Sequence, residues 1–328
     1  MARVAAIDCG TNTIRLLIAD IAGRERHEGH DGHGGQGGLR DVVRTLEVVR
    51  LGEGVDRTGR FADAALERTL AVTRRYAEIC REHEVERIRF VATSATRDAA
   101  NRADFTDAVL DILGVPAEVI PGTEEAALSF RGALTALPHP DAAARHLIVD
   151  LGGGSTELVL GGSAPDAAYS MDIGCVRLTE RSVHSDPPIE TELAGIRRDV
   201  TAALDVAAGI VDLSQTTDVI GVAGTITTIT AHALGLTRYD PQTINGSRLP
   251  LHTVLAACES LAGLPRAERA ALPYMHPGRV DVIAAGATIW STILRRVAEA
   301  TSAVGRPLEF VTTSEHDILD GVALSLVP

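Results

Sequence analysis

A short motif written twice constrains this chain more than any other feature. "AIDCGTNTIRLLI" near the N-terminus and "VDLGGGSTELVL" near the middle align without a gap at a constant offset. Asp8 falls on Asp150, Gly10 on Gly152, Thr13 on Ser155 and Arg15 on Glu157. Each copy reads as a strand, an Asp-x-Gly turn of small polar residues, and a second strand. A third strand follows each copy ("VRTLEVVRLGE" and "DAAYSMDIG"), then helices and further strands. A fixed-offset repeat is what duplication of a whole domain leaves behind. The fold class expected is α/β: two duplicated domains, each a mixed sheet flanked by helices. The chain has 328 residues, enough for two domains of ordinary size, and no long Pro/Ser linker divides it. We place the first domain at residues 1–124, completed by a C-terminal helix over 315–328, and the second at 125–314.

Apolar spacing predicts a helix over residues 62–83, and the stretch after "VATSAT" a helix from about Arg97 to Leu113. Thr123 is read as the cap of a helix over "EEAALSFRGALTAL". "GRERHEGHDGHGGQGGLRD" cannot bury a core and is read as a mobile hairpin tip, so His27, His30 and His33 are assigned to a solvated loop before a metal site. The four cysteines are scattered and form no C-x-x-C pair, which leaves no signal for a zinc knuckle or a disulfide framework. The apolar runs are too short to span a membrane and no signal peptide precedes the first strand, so a cytoplasmic location is expected, with no membrane partner.

Net charge is −13, from 44 acids and 31 bases, and every one of those bases is arginine. The absence of lysine excludes a Walker lysine, a Schiff base and a lysine general base. Net acidity argues against nucleic acid as a partner. An anion bound here must be held by arginine forks, backbone N–H groups or a metal ion. A homodimer is compatible with the sequence.

The paired loops suit phosphate. A tight glycine turn exposes consecutive N–H groups as a concave nest for phosphate oxygens. Two nests, one on each side of an interdomain cleft, can grip a phosphate chain. The carboxylates beside them would repel that chain unless a divalent cation lies between. Mg²⁺ (or Mn²⁺) prefers one or two carboxylates plus phosphate oxygens and waters. Asp8, Asp150 and Glu157 are therefore the candidate ligands of the metal or its waters. Glu157 leaves the loop on a strand, and its separation from Asp150 across a turn does not by itself say which way it faces.

The sequence resembles the exopolyphosphatase/guanosine pentaphosphatase (Ppx/GppA) phosphatases of the actin/Hsp70/sugar-kinase fold group, with actin-like (ribonuclease H-like) domains. The matching segments are "AAIDCGTNTIRLLI", "VATSATRDAAN", "IPGTEEAALSFRGA", "IVDLGGGSTELVL", "GVAGTITTITA", "YDP" and "RVDVIAAGATI", in family order over nearly the whole chain. The resemblance implies hydrolysis of the terminal phosphate of inorganic polyphosphate or guanosine pentaphosphate. It also implies a glutamate acting as base toward water. "GTEE" offers Glu124 and Glu125, and the family pattern favours Glu125. Gly152, Gly153, Gly154 and Ser155 would hold the terminal phosphate, and Gly10, Thr11, Asn12 and Thr13 would hold it or its neighbour. Arg97 is implied to touch phosphate, and Arg15 and Arg279 to contact further phosphates. Gly224 and Thr225 resemble the turn that faces adenosine in sugar kinases. Asn245 stands where many members carry a histidine.

Three other readings compete. "CGTNTIR" fits the C-x5-R loop of cysteine phosphatases, but Arg15 sits on an alternating β-branched strand and Asp8 would raise the Cys9 thiol. A kinase of the same fold would need a nucleotide and a second substrate. A catalytically weak sensor would keep both nests and release no phosphate.

Overall fold

The computed structural model describes residues 2–21, 39–136 and 144–326. The Gly/His-rich stretch with His27, His30 and His33 lies outside the described residues. Two compact units divide the chain, residues 1–138 with 316–328, and residues 139–315.

The first unit holds β1 (Ala2–Cys9), β2 (Thr13–Ile21), β3 (Leu39–Val48), β4 (Arg87–Ala92) and β5 (Ala117–Val119), in the sheet order β3-β2-β1-β4-β5. β2 is antiparallel to β1, whereas β4 runs parallel to it. The second unit holds β6 (His146–Leu151), β7 (Thr156–Gly161), β8 (Pro165–Met171), β9 (Asp218–Val222), β10 (Arg248–Pro250) and β11 (Phe310–Thr313), in the order β10-β11-β9-β6-β7-β8. Apart from the added edge strand β10, the second sheet repeats the order and directions of the first. This is the actin-like arrangement, and it is present twice.

β1 is the central strand of its sheet and reads as a nearly unbroken apolar run because both of its faces are covered. Its side chains alternate between two layers. Ala5, Ile7 and Cys9 join a core with Phe61, Val72, Tyr76, Phe90 and Phe105. Val4 and Ala6 join a second core with Ile120, Leu128, Ile318, Leu319 and Val322. The first layer is built by the helices Asp63–Glu82 and Arg102–Leu113, the second by Gly122–Ala133 and Ile318–Ser325.

Two local expectations and one boundary are corrected. The helix expected from Arg97 to Leu113 is two helices, Ser94–Asp98 and Arg102–Leu113. The break falls where the Asn101 side chain bonds both the N–H and the C=O of Phe61, at 2.8 and 3.3 Å. Thr123 is not a cap: the helix begins at Gly122, and its N-cap is Pro121 with no side-chain cap bond. The units divide after Pro138 and not after residue 124, because Gly122–Ala133 packs on the C-terminal helix of the first unit.

That C-terminal helix carries a buried charge cluster. Asp320 is fully buried, bonded by Arg44 Nη2 at 2.5 Å and His316 Nδ1 at 2.8 Å. Burial alone would raise the Asp320 carboxyl, but His316 and Arg44 outweigh it and hold the pKa at about 2. The folded value lies below the unfolded one, so the stabilisation is present above about pH 4 and is lost as pH falls toward 2. His316 is raised by its bond to Asp320, and its share is present in acid and lost as pH rises through its folded value. Denaturant melts between pH 5 and 2.5 should therefore show Asp320→Asn losing less stability on acidification than the unmodified protein, by roughly 2 kcal/mol.

Candidate active site

The two loops carry the same bond at aligned positions. Gly10 N–H donates to the Thr13 carbonyl at 2.9 Å, and Gly152 N–H to the Ser155 carbonyl at 3.0 Å. In the second unit the loop carbonyls are all engaged on one side. Gly152 C=O accepts from Cys175 N–H at 3.0 Å, Gly153 C=O from the N–H groups of Val176 and Arg177 at 2.9 and 3.1 Å, and Gly154 C=O from Arg177 Nε at 2.8 Å. In a planar trans peptide the N–H points opposite to the C=O. The N–H groups of Gly153, Gly154 and Ser155 are therefore turned away from the helix Cys175–Ser182, as a nest for an anion. In the first unit Thr11 C=O accepts from Gly52 N–H at 2.8 Å, and Asn12 C=O from Val49 and Arg50 N–H at 3.0 and 2.9 Å, which turns the amides of Asn12 and Thr13 likewise.

Gly174 makes the second nest possible and was missed by sequence reasoning. A Cβ there would lie 2.3 Å from Gly153 O and 2.5 Å from Gly154 N, closer than backbone allows. The available signal was a glycine directly before a helix that follows the loop.

The alternation of β1 and β2 aims the charged residues of the first unit. Asp8 shares the face of Val4 and Ala6, and Arg15 that of Leu17 and Ala19. Asp8 and Arg15 are also directly paired across the two strands. Both of the Arg15 donors Nε and Nη2 reach Asp8 Oδ2, at 3.0 and 2.6 Å. Its Nη1 donates to Asp317, at the start of Ile318–Ser325. Burial works against the Arg15 charge, but Asp317 and Asp8 outweigh it and raise its pKa. The expectation that Arg15 contacts phosphate is not favoured by this geometry, in which its guanidinium is bonded to carboxylates on both sides.

The same face receives Glu125 from the first turn of Gly122–Ala133. Glu125 is buried, and Arg97 Nη1 donates to its Oε2 at 2.6 Å while also bonding Ile120 C=O at 3.1 Å. Burial raises the Glu125 carboxyl, Arg97 opposes the rise, and the Asp8 charge adds to it. Thr93 also bonds Glu125, and its hydroxyl lies near Gly10; it is a second residue that sequence reasoning passed over. Glu124 is elsewhere, half exposed in an ion pair with Arg89 at 2.6 Å. The first unit thus brings together Asp8, the loop Gly10–Thr13, Thr93, Arg97 and Glu125, and leaves Glu124 outside.

In the second unit Asp150 and Glu157 are directly opposed across β6 and β7, so they share one face. Leu147, Val149, Leu151, Leu158 and Leu160 take the other face into the core. Ser170 Oγ donates to Glu157 Oε1 at 2.6 Å. Two buried carboxylates opposed on a sheet repel unless positive charge or a proton intervenes, and that donor set suits a hard divalent cation. Among the described residues no three His, Cys, Asp or Glu side chains form a ready-made metal cage. Mg²⁺ requires none, since it takes its remaining oxygens from phosphate and water.

Arg279 lies flat on Gly224, where a Cβ would come within 2.3 Å of its guanidinium. Its Nη1 donates to Thr228 at 2.9 Å, and the guanidinium carbon sits 5.7 Å from the Tyr239 ring centroid. The substituted position Asn245 accepts from the Glu315 N–H at 3.0 Å.

The cysteine-phosphatase reading fails on geometry. Cys9 is 1% exposed, its thiol is raised well above the ordinary value by burial and then by Asp8, and Arg15 is bonded to Asp8. Cys9→Ser should keep phosphate release within about three-fold of the unmodified protein in a steady-state assay, since no thiolate is available to attack.

A duplicated actin-like sheet with a backbone nest and a carboxylate in each copy defines the class. Residues 30–304 match the Ppx/GppA phosphatase family, and the chain belongs to that family. It is 49% identical over 332 residues to a Mycobacterium tuberculosis protein named Exopolyphosphatase 2, covering 99% of each. The crystal structure of an exopolyphosphatase-like protein superposes with a TM-score of 0.91 at 46% identity, over 99% of this chain and 98% of the other. The Aquifex aeolicus member of the Ppx/GppA family superposes with a TM-score of 0.76 at 28% identity, over 99% and 97%. Among the described residues no helix is long and apolar enough to cross a membrane.

Proposed function

We propose that this chain is an exopolyphosphatase: it hydrolyses the terminal phosphoanhydride of inorganic polyphosphate, with guanosine pentaphosphate as the other candidate substrate. The observation that carries the reading is Glu125, buried beside Arg97 and Asp8 on the face that bears the loop Gly10–Thr13. Phosphoryl transfer to water asks for positioning and charge neutralisation more than for covalent chemistry. Glu125 orients and deprotonates the attacking water. Arg97 holds the Glu125 carboxylate and is assigned to a phosphate oxygen of the substrate. The amides of Asn12 and Thr13, with Thr11 beside them, bind phosphate in the first unit, and those of Gly153, Gly154 and Ser155 in the second; Gly10 and Gly152, expected to join them, instead spend their N–H groups closing the two loops. Arg279, backed by Tyr239, is assigned to a further phosphate of the chain.

Asp8 in the first unit, and Asp150 with Glu157 in the second, are the carboxylates assigned to Mg²⁺ or Mn²⁺, directly or through waters. A divalent cation held by either set would supply charge neutralisation on the phosphate oxygens. Arg15 keeps Asp8 in place.

The test is orthophosphate release with Mg²⁺ across polyphosphates of several lengths, guanosine pentaphosphate, ATP and ADP. Release from polyphosphate without any nucleotide is the expected result. Transfer of phosphate to an acceptor only when ATP is present would make the chain a kinase. Tight polyphosphate binding with no release would make it a sensor.

A further inference from the structure

Arg15 is gripped by two carboxylates, one of them on its own hairpin and the other 302 positions further along the chain. The second, Asp317, is buried, with a side chain only 4% exposed, and its oxygens do separate jobs. Oδ1 accepts the Leu319 N–H at 3.0 Å and so caps the helix Ile318–Ser325, while Oδ2 accepts Arg15 Nη1. The cap is reinforced by Asp320, whose Oδ2 accepts the Asp317 N–H at 3.1 Å. The Asp317 backbone is itself pinned, since a Cβ on Gly132 would fall 1.8 Å from its carbonyl oxygen.

The grip has an unusual form. An arginine facing a carboxylate ordinarily forks across both of its oxygens. Here Nε and Nη2 both end on Asp8 Oδ2, and neither bonds Oδ1. The pull of Asp317 on Nη1 accounts for it, because it holds the planar guanidinium to one side of Asp8.

We infer that Asp317 is a positioning residue: by holding one edge of the Arg15 guanidinium, it keeps one oxygen of Asp8 open to a divalent cation. This rests on the reading above that Asp8 serves the cation. Without the second carboxylate, the guanidinium is free to fork across both Asp8 oxygens, and its whole charge then competes with the cation for Asp8.

Asp317→Asn and Asp317→Ser test this, because both side chains still cap a helix but neither carries the charge. The probe is Mn²⁺ alone, titrated into the substrate-free protein and followed by water-proton relaxation, with Asp8→Asn alongside. Both Asp317 variants should weaken Mn²⁺ binding by about three- to ten-fold. They should raise the Mg²⁺ concentration for half-maximal phosphate release by a similar factor, with kcat at saturating Mg²⁺ within about two-fold. Asp317→Glu, which keeps the charge, should recover most of the affinity. In an Arg15→Gln background the Asp317→Asn change should add nothing, since its effect runs through Arg15. Unchanged Mn²⁺ affinity in both Asp317 variants, with binding lost in Asp8→Asn, would overturn the inference and leave the role of Asp8 standing. A full effect of Asp317→Asn in the Arg15→Gln background would likewise overturn it. Unchanged affinity in Asp8→Asn would remove the cation reading of Asp8 and the inference with it.

Discussion

Glu125→Gln should lower kcat for phosphate release by about 10²- to 10⁴-fold while leaving the fold intact. Glutamine is isosteric and can still accept from Arg97, so the packing of Gly122–Ala133 survives, but it cannot take a proton from water. Glu124→Gln, on the half-exposed ion pair with Arg89 away from Glu125, should stay within about two-fold and serves as the control. The pH profile checks the same assignment. Burial raises the Glu125 carboxyl above its ordinary value of 4.5. A base acts only when deprotonated, so kcat/KM should fall as pH drops through that raised value, and the acid limb should lie above 4.5. Removing the opposing charge with Arg97→Gln should move that limb to higher pH. Full activity in Glu125→Gln, checked by circular dichroism to be folded, would discard the assigned base.

Gly321→Ala should destabilise the first unit severely, although it adds a single methyl. A Cβ at Gly321 would lie 2.0 Å from the Leu128 carbonyl oxygen and 2.7 Å from its carbonyl carbon. The obstacle is backbone of the helix Gly122–Ala133, which cannot swing aside as a side chain does. The two helices must separate, opening the layer that holds Leu128, Ile318 and Val322 against β1. Overpacking of this kind costs roughly 3 kcal/mol, equivalent to a drop of about 6–12 °C in the melting midpoint of a unit this size. Activity should fall with it, because the two helices carry Glu125 and Asp317. Gly195→Ala supplies the contrast: Gly195 sits within the helix Glu190–Ala207, and a methyl added there would meet nothing within 4 Å. There the change should stabilise by about 0.5–1 kcal/mol, through lower chain entropy in the unfolded state. Thermal melts of the two variants side by side separate close helix contact from glycine content.

Much of the architecture was legible because it is local and repeated. The Asp-x-Gly turn flanked by alternating strands appears twice, and the bonds Gly10 to Thr13 and Gly152 to Ser155 reproduce the alignment at the atomic level. Period-two alternation is enough to put Ile7 and Asp8 on opposite faces of β1. The facing of Glu157 was not legible, since it depends on which residue of β6 the turn sets opposite it, and the register with Asp150 decides that. The break between Asp98 and Arg102 was hidden because it answers to Phe61, a residue far away in sequence.

By itself, the sequence determined the duplication, the two glycine loops with their carboxylates, and the dependence on arginine for positive charge. Those features live in short windows, where turn geometry and side-chain period are set by neighbours along the chain. Only the tertiary structure decided which of two adjacent glutamates is buried beside Arg97, that Arg15 commits its donors to Asp8 and Asp317, and that Gly174 and Gly321 sit where backbone meets backbone. Each of these is set by chain segments distant in sequence that meet only when the sheets and helices pack, and a linear pattern carries no record of such meetings.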